Sequence, residues 1–256
     1  MIQQADPSIV HHVDDSTGPR RLPLWALPPV QWVAIFIPFV ILGWLISGPF
    51  DLTNVEEHAN TWFESHRTSR LNDLTTLPTR LASTEGIAIV FGLAALFFVI
   101  RHRWSSFALL VWALTAELTL FLVINLVVGR PRPDVVALDS VPRTSSFPSG
   151  HVAATFALYG SLALIATLHN SNRVRVVLQW VFAFVAVAAV AFARVYRGAH
   201  HVSDVISGAA LGIVCVICAE HFAFRIAEWL HHRGDVNEAT DFVDDDIEIL
   251  ETGQAA

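Results

Sequence analysis

The sequence contains no lysine, so all 16 of its basic side chains are arginines. Charged residues make up only 15% of the 256 positions, against about 25% in an ordinary soluble domain. Hydrophobic residues reach 54%, and the mean hydropathy is +0.51. The scarcity of charge argues against a soluble globular protein and predicts that much of the chain lies in lipid. The all-arginine composition favours a GC-rich genome, typical of a high-GC bacterium.

Cysteine is almost absent, with only Cys215 and Cys218 inside an apolar stretch. No second cysteine pair accompanies them, so we interpret them as small packing residues rather than as a redox or metal site. The net charge of −7 comes largely from the chain ends, above all from residues 241–251. An acidic tail is typical of a solvated, disordered segment, and nothing in this balance favours a nucleic-acid partner.

Long apolar runs are what the sequence has in abundance, and several approach the ~20 residues that cross a bilayer. They predict an all-α integral membrane protein with six transmembrane helices in one bundle over residues 29–224. Tails of residues 1–28 and 225–256 flank it, and the polar segment 49–83 could form an interfacial helix between the first two spans. The predicted spans are 29–48, 84–100, 105–128, 151–168, 176–193 and 205–224.

Arginines in the short loops predict the orientation of the bundle. Arg101, Arg103, Arg173 and Arg175 fall on the same side as both termini if there are six spans. This side should be the cytoplasm of a cell (inner) membrane. The opposite side is also rich in arginine, so either the orientation is reversed or those arginines are held by function. Their clustering in motifs favours the second interpretation.

Three polar segments stand at the ends of predicted spans. They are GRPRP at 129–133, PSGH at 148–151, and RVYRGAHHVSD at 194–204. In a six-span protein, the ends of the spans that carry these segments all lie on the same membrane face. Segments far apart in sequence should therefore converge on one pocket.

The first part of that pocket is suited to an anion. Arg132 and Arg194 supply planar forks that match phosphate oxygens. Ser149 and Gly150 stand where the fourth span begins, and a helix N-terminus offers free N–H groups and the positive end of the dipole. PSGH alone would be consistent with a simple turn and helix cap, and RPRP alone with a rigid loop.

The second part of the pocket is suited to phosphoryl transfer. His200 and Asp204 are four residues apart and share a helix face, so the carboxylate can orient the imidazole. With His151 nearby, one histidine could attack phosphorus while the other protonates the leaving oxygen. A lone His-x3-Asp is often only structural. The presence of GRPRP, PSGH and RVYRGAHHVSD together, in this order and on one membrane face, argues against coincidence. The abundance of arginine argues against a cation site, so we predict no metal and no cofactor.

These three segments resemble the signature motifs of the phosphatidic acid phosphatase type 2 family, the lipid phosphate phosphatases, which are related to vanadium haloperoxidases. The resemblance implies that His200 is the nucleophile that forms a phosphohistidine, that Asp204 orients it, and that His151 protonates the leaving group. It further implies a phosphate cradle, consisting of Arg132, Arg194, Ser149 and Gly150.

Two positions depart from the family pattern. Asn125 stands where the first motif usually begins with lysine, and Ala193 stands where the third motif usually begins with serine. Asparagine donates a hydrogen bond but carries no charge. We therefore hypothesise that Arg130, beside Arg132 in the RPRP repeat, supplies the missing positive charge to the phosphate.

The expected function is metal-independent hydrolysis of a lipid-linked phosphate or diphosphate at the extracytoplasmic face. Candidate substrates are a polyprenyl diphosphate, phosphatidic acid and phosphatidylglycerol phosphate, with membrane lipids as the surroundings and an undetermined oligomeric state. Three alternatives stay open: transfer of the phosphate to an acceptor, a weakly catalytic lipid-phosphate binder or transporter, and a vanadate-dependent peroxidase. The long apolar spans disfavour the peroxidase, whose relatives are soluble.

Overall fold

The computed structural model of the chain describes residues 28–50, 52–141, 143–169 and 172–232. Every regular element within these ranges is an α-helix. The helices are α1 (Pro28–Ser47), α2 (Leu52–Ser65), α3 (Ser69–Leu81), α4 (Thr84–Ile100), α5 (Trp104–Val128), α6 (Gly150–His169), α7 (Arg173–Tyr196) and α8 (Val202–His232).

Five of these helices, α1, α5, α6, α7 and α8, are long and apolar enough to cross a membrane. A sixth candidate span is formed by α3 and α4 together, bent by 48°. The outer faces of α4 and α7 expose large aliphatic side chains, such as Leu93 and Val177, as a lipid-facing surface requires. The predicted all-α membrane fold is therefore confirmed, and the described residues contain five candidate spans, or six if the bent pair counts as one.

The bend between α3 and α4 has a local cause. The Ser83 side chain caps α4 by accepting a hydrogen bond from the Gly86 N–H at 3.2 Å. A Cβ atom at Gly86 would lie 2.5 Å from the carbonyl oxygens of Arg80 and Leu81. Glycine at this position therefore allows the first turn of α4 to pass close to the last turn of α3.

The polar segment between the first two spans forms two helices, where the sequence suggested a single interfacial one. α2 contacts α1 and α7, and α3 packs along α7. Glu56 of α2 pairs with Arg130, and Arg197 donates to the Asn72 carbonyl of α3. Both helices therefore lie against the end of the bundle that carries the polar motifs.

Helix α6 is the centre of the bundle and packs against α5, α7 and α8. Its contact with α8 depends on Gly208 and Gly212, the GxxxG pair of the sixth span. A Cβ at Gly208 would lie 2.4 Å from the Ser149 carbonyl oxygen, and one at Gly212 would lie 2.7 Å from that of Ala153. Small residues thus let the two backbones approach closely.

The ends of the helices differ modestly from the predicted spans. α7 is longer at both ends than the predicted 176–193, and α8 continues to His232, past the predicted end at 224. The predicted N-terminal tail, apart from its last residue, and the acidic part of the C-terminal tail lie outside the described residues.

Candidate active site

The first two motifs are joined by backbone and hydroxyl hydrogen bonds. α5 ends at Val128, and the next residue, Gly129, has a left-handed φ of 64° that turns the chain out of the helix. Beyond it, the Arg130 N–H donates to Ser145 Oγ at 3.0 Å, and the Ser146 N–H donates to the Arg130 carbonyl at 2.9 Å. Ser146 Oγ also donates to the Pro131 carbonyl at 2.8 Å. The two ends of the loop between α5 and α6 therefore lie side by side.

The third motif closes on the other two through its backbone. The Ser149 N–H donates to the Asp204 carbonyl at 3.0 Å, and Arg132 Nη1 donates to the Ala199 carbonyl at 2.8 Å. The predicted convergence of the three polar segments on one end of the bundle is thus what the structure shows.

The motifs surround one end of a cavity of about 450 Å³. Arg132, Arg194, His151 and His200 line its polar end, together with Gly150. The walls beyond are mostly apolar side chains of α4, α5 and α6, among them Ile87, Phe91, Leu114, Leu118 and Ala154. An anion-binding end that continues into an apolar slot suits an amphiphile with a phosphorylated head.

His200 is held in one tautomer. Its Nδ1 lies 2.8 Å from the Ser146 carbonyl oxygen, and because a carbonyl only accepts, Nδ1 carries the proton and Nε2 keeps its lone pair. Asp204 Oδ2 lies 3.7 Å from the same Nδ1, close enough to stabilise positive charge on the ring. Burial lowers the pKa of His200 below its ordinary value, so the ring is neutral at pH 7 and able to act as a nucleophile.

The Asp204 carboxylate is fully buried and uses both oxygens. Oδ1 accepts from Arg130 Nη1 at 2.5 Å, and Oδ2 accepts from the His201 N–H at 2.8 Å. These bonds fix the carboxylate at the start of α8, beneath the His200 ring.

Arg130 lies behind Asp204 and does not line the cavity. Its guanidinium donates to Glu56 Oε2 at 2.8 Å and to Ser203 Oγ at 2.7 Å, in addition to Asp204. The hypothesis that Arg130 supplies positive charge to the phosphate stays a prediction. In the structure, its guanidinium forms ion pairs with the carboxylates of Glu56 and Asp204.

Asn125 is also outside the cavity lining. Its Nδ2 donates to the Ser145 carbonyl at 2.7 Å and to the Phe147 carbonyl at 3.3 Å. At the position of the family lysine, asparagine thus ties the end of α5 to the loop that precedes α6.

Asp139 joins two arginines of the third motif. Its carboxylate accepts from Arg194 Nη1 at 3.1 Å and from Arg197 Nη2 at 2.6 Å. Burial opposes ionisation of Asp139, but the hydrogen bond from Arg197 and the two positive charges outweigh it and hold the pKa of Asp139 below its ordinary value. The same hydrogen bond raises the pKa of Arg197. Arg194 is therefore anchored on one side while it faces the cavity.

Two polar groups near the polar end have unused hydrogen-bonding capacity. Ser149 Oγ and Arg194 Nε are buried without a hydrogen-bond partner among the described residues. Arg194 lines the cavity, whereas Ser149 is fully buried beside Gly150 and does not line it. Burial lowers the pKa of Arg132 below its ordinary value. A Cβ at Gly150 would lie 2.8 Å from the Phe121 ring, so glycine is required at the first turn of α6.

Across the described ranges, no group of three or more His, Cys, Asp or Glu side chains could hold a metal ion.

Sequence reasoning missed the acidic residues that fasten α2 to the motifs. Glu56 accepts from the Ser203 N–H at 2.7 Å, Glu57 from the Asp134 N–H at 2.9 Å, and Glu64 from the Val136 N–H at 2.8 Å. Asp139 was missed as well. The only signal was the presence of acidic side chains in the two polar segments between spans.

The comparisons with known proteins agree with this geometry. A family model of the PAP2 superfamily matches residues 107–228. The crystal structure of a transmembrane PAP2-type phosphatidylglycerolphosphate phosphatase from Bacillus subtilis superposes with a TM-score of 0.65 and 25% identity, over 77% of this chain and 97% of that one. The crystal structure of Aquifex aeolicus LpxE has a TM-score of 0.50 and 25% identity, over 63% of this chain and 92% of that one.

A curated relative decides the family. Phosphatidylglycerophosphatase B of Bacillus subtilis is 30% identical over 203 residues, which cover 76% of this chain and 95% of the relative. The chain belongs to the PAP2 superfamily. The resemblance seen in the three motifs is thereby confirmed, and this PAP2 protein is a multi-pass membrane enzyme of the lipid phosphate phosphatase class, a phosphoric monoester hydrolase.

Proposed function

We propose that the protein hydrolyses the phosphate monoester of a membrane lipid, or a lipid diphosphate, in two steps through a phosphohistidine at His200. The observation that supports this most is the cavity, where a neutral, oriented His200 and two arginines face a slot that continues between apolar walls. Such a slot lets the lipid chain stay in apolar surroundings while the phosphorylated head enters the polar end.

In the first step, the lone pair on His200 Nε2 attacks phosphorus and the bond between phosphorus and the lipid oxygen breaks. His151, in its protonated form, gives its proton to the departing oxygen, which leaves as the lipid alcohol. Arg132 and Arg194 hold the phosphoryl oxygens, with Ser149 Oγ and the Gly150 N–H at the start of α6 as further donors.

In the second step, water attacks phosphorus and the P–N bond breaks. His151, now neutral, takes a proton from the water, and His200 leaves as the neutral imidazole. During both steps the positive charge on the His200 ring is stabilised by the Asp204 carboxylate, 3.7 Å from Nδ1. Release of inorganic phosphate returns both histidines to their starting states.

Phosphatidylglycerol phosphate is the first substrate to test, because the curated relative is named phosphatidylglycerophosphatase B. Phosphatidic acid and a polyprenyl diphosphate, the other two substrates expected from the sequence, complete the panel.

We further propose that the active site faces away from the cytoplasm and that both termini are cytoplasmic. Arg101, Arg103, Arg173 and Arg175 lie at the end of the bundle opposite the motifs, where the positive-inside rule expects them. The arginines of the motifs are held by hydrogen bonds to the protein, Arg130 among them, so their position reflects structure and not orientation. Fusion of a fluorescent reporter to the C-terminus should give a folded, fluorescent protein in the cytoplasm, and a reporter active only outside it would contradict the orientation.

The experiment that tests the function measures phosphate release from the three lipids in detergent with EDTA present, for the wild type and for His200→Ala. We expect EDTA-resistant release that the substitution abolishes. Glu64→Gln serves as a control for the effect of a substitution at the same end of the bundle. If no lipid phosphate is hydrolysed in a His200-dependent way, the proposed function is wrong.

A further inference from the structure

Glu117 is an acidic side chain in the middle of a membrane span and has no role in the phosphoryl-transfer site. It lies on α5, is only 3% exposed, and lines the same cavity as the catalytic histidines. Its carboxyl group makes no hydrogen bond or salt bridge with any of the residues that the structure describes. A buried ionisable residue inside a membrane helix is costly and is usually functional.

The depth of Glu117 relative to the phosphate site follows from helix geometry. Phe121, one turn further along α5, packs against Gly150 at the start of α6, the helix that supplies His151. Four residues of α-helix rise about 6 Å, so Glu117 lies about that far beyond the polar end along the cavity wall. Leu114 and Leu118 line the wall beside it, and Thr115 is the one polar neighbour that the cavity lining shows on this stretch of α5.

The chemistry of this position restricts what it can bind. An uncompensated negative charge between apolar walls is strongly unfavourable, whereas a neutral carboxylic acid offers one O–H donor and one carbonyl acceptor. A neutral donor there would best meet an acceptor on the substrate, because a bare hydrocarbon leaves it unsatisfied. In a diacylglycerol phosphate, the acyl ester carbonyls follow the phosphate after a few covalent bonds, at a comparable distance. An isoprenoid phosphate carries only hydrocarbon there.

We propose that Glu117 is a specificity-determining residue that donates a hydrogen bond to an acyl ester carbonyl of the substrate, and so selects diacylglycerol phosphates over isoprenoid phosphates. The proposal rests on the proposed lipid phosphatase function. It adds a second recognition point, one helical turn from the phosphate, to the arginines and histidines that bind the head.

The test compares wild type, Glu117→Leu and Glu117→Gln on three substrates in detergent. These are diacyl phosphatidic acid, its dialkyl ether analogue, which has the same phosphate and chains but no carbonyls, and farnesyl phosphate. Wild type and Glu117→Gln, which keeps a neutral donor, should prefer the diacyl lipid. Glu117→Leu should lower kcat/KM for the diacyl lipid by about fivefold, the value of one hydrogen bond, and leave the ether analogue and farnesyl phosphate unchanged or improved.

Thr119→Val is the matched control, since it removes a polar group from the same helix. The Thr119 hydroxyl donates to the Thr115 carbonyl of α5 itself and does not line the cavity, so substrate preference should not change. Equal losses on all three substrates with Glu117→Leu, or no loss at all, would overturn the proposal. If Glu117→Leu does not fold, loss of the diacyl preference in Glu117→Gln would overturn it too. Failure of the proposed function is distinguishable, because wild type would then release no phosphate from any substrate.

Discussion

Replacing Glu56 with glutamine should weaken catalysis although Glu56 touches no substrate. Its carboxylate accepts from Arg130 Nη2 at 2.8 Å and from the N–H and Oγ of Ser203, both at 2.7 Å. The Glu56 side chain is 13% exposed and that of Arg130 is fully buried. Breaking a buried ion pair costs about 3–5 kcal/mol, and glutamine keeps one acceptor oxygen, so we expect Glu56→Gln to lower the free energy of unfolding by about 2–3 kcal/mol.

The catalytic effect follows from the second contact of Arg130, with Asp204. When Glu56 no longer shares the guanidinium, Arg130 shifts and Asp204 loses its fixed position beneath His200. An increase of about 1.4 kcal/mol in the activation free energy lowers kcat tenfold. We expect Glu56→Gln to lower kcat by at least about tenfold, with little change in KM.

The assay combines thermal unfolding in detergent with steady-state kinetics on a lipid phosphate. Glu64→Gln is the control, because Glu64 lies on the same helix and accepts one hydrogen bond, from the Val136 N–H, without contacting a motif side chain that lines the cavity. Unchanged kcat in Glu56→Gln, or equal losses in the two variants, would refute the idea that α2 positions Asp204 through Arg130.

Two further predictions concern helix packing and pH. Gly208→Ala should abolish most activity, because the new Cβ would lie 2.4 Å from the Ser149 carbonyl oxygen. Gly92→Ala should leave activity unchanged, because no atom lies within 4 Å of the position of a Cβ there. Similar activities of the two purified variants would contradict this prediction. On the acid side, kcat/KM should fall only below pH 6.5, since protonation removes the His200 lone pair and the pKa of His200 is lowered from 6.5. A pH–rate profile with its acid midpoint above 6.5 would exclude a buried, neutral His200.

Much of the fold was predictable from hydropathy because lipid requires continuous apolar helices. The predicted span 84–100 coincides with α4. The predicted start of the sixth span at 205 is three residues late, because α8 begins at Val202 and includes Asp204 in its first turn. A charged residue there looks like the end of an apolar run, but its carboxylate accepts from the His201 N–H and stabilises the helix start.

The candidate site was predictable where the motifs themselves carry the chemistry. Arg132, Arg194, His151 and His200 meet at the cavity as expected. The direction of Arg130 was not predictable, because sequence adjacency to Arg132 does not fix where a side chain points in an irregular loop. Its partner Glu56 lies 74 residues away, in a helix whose packing no local pattern reveals.

Glu117 was overlooked for a different reason. A single acidic residue inside an apolar run does not change the prediction of a span, so its functional meaning appears only when the cavity is seen to pass beside it.

If the phosphoryl group passes through His200, a rapid-quench experiment with a labelled lipid phosphate should trap it there. Wild-type enzyme quenched in alkali during turnover should carry the phosphoryl group on His200, located by mass spectrometry, and His200→Ala should carry none. A chiral phosphate ester should give product with retained configuration, since two in-line displacements each invert phosphorus. An unlabelled His200 together with inversion at phosphorus would contradict the phosphohistidine mechanism.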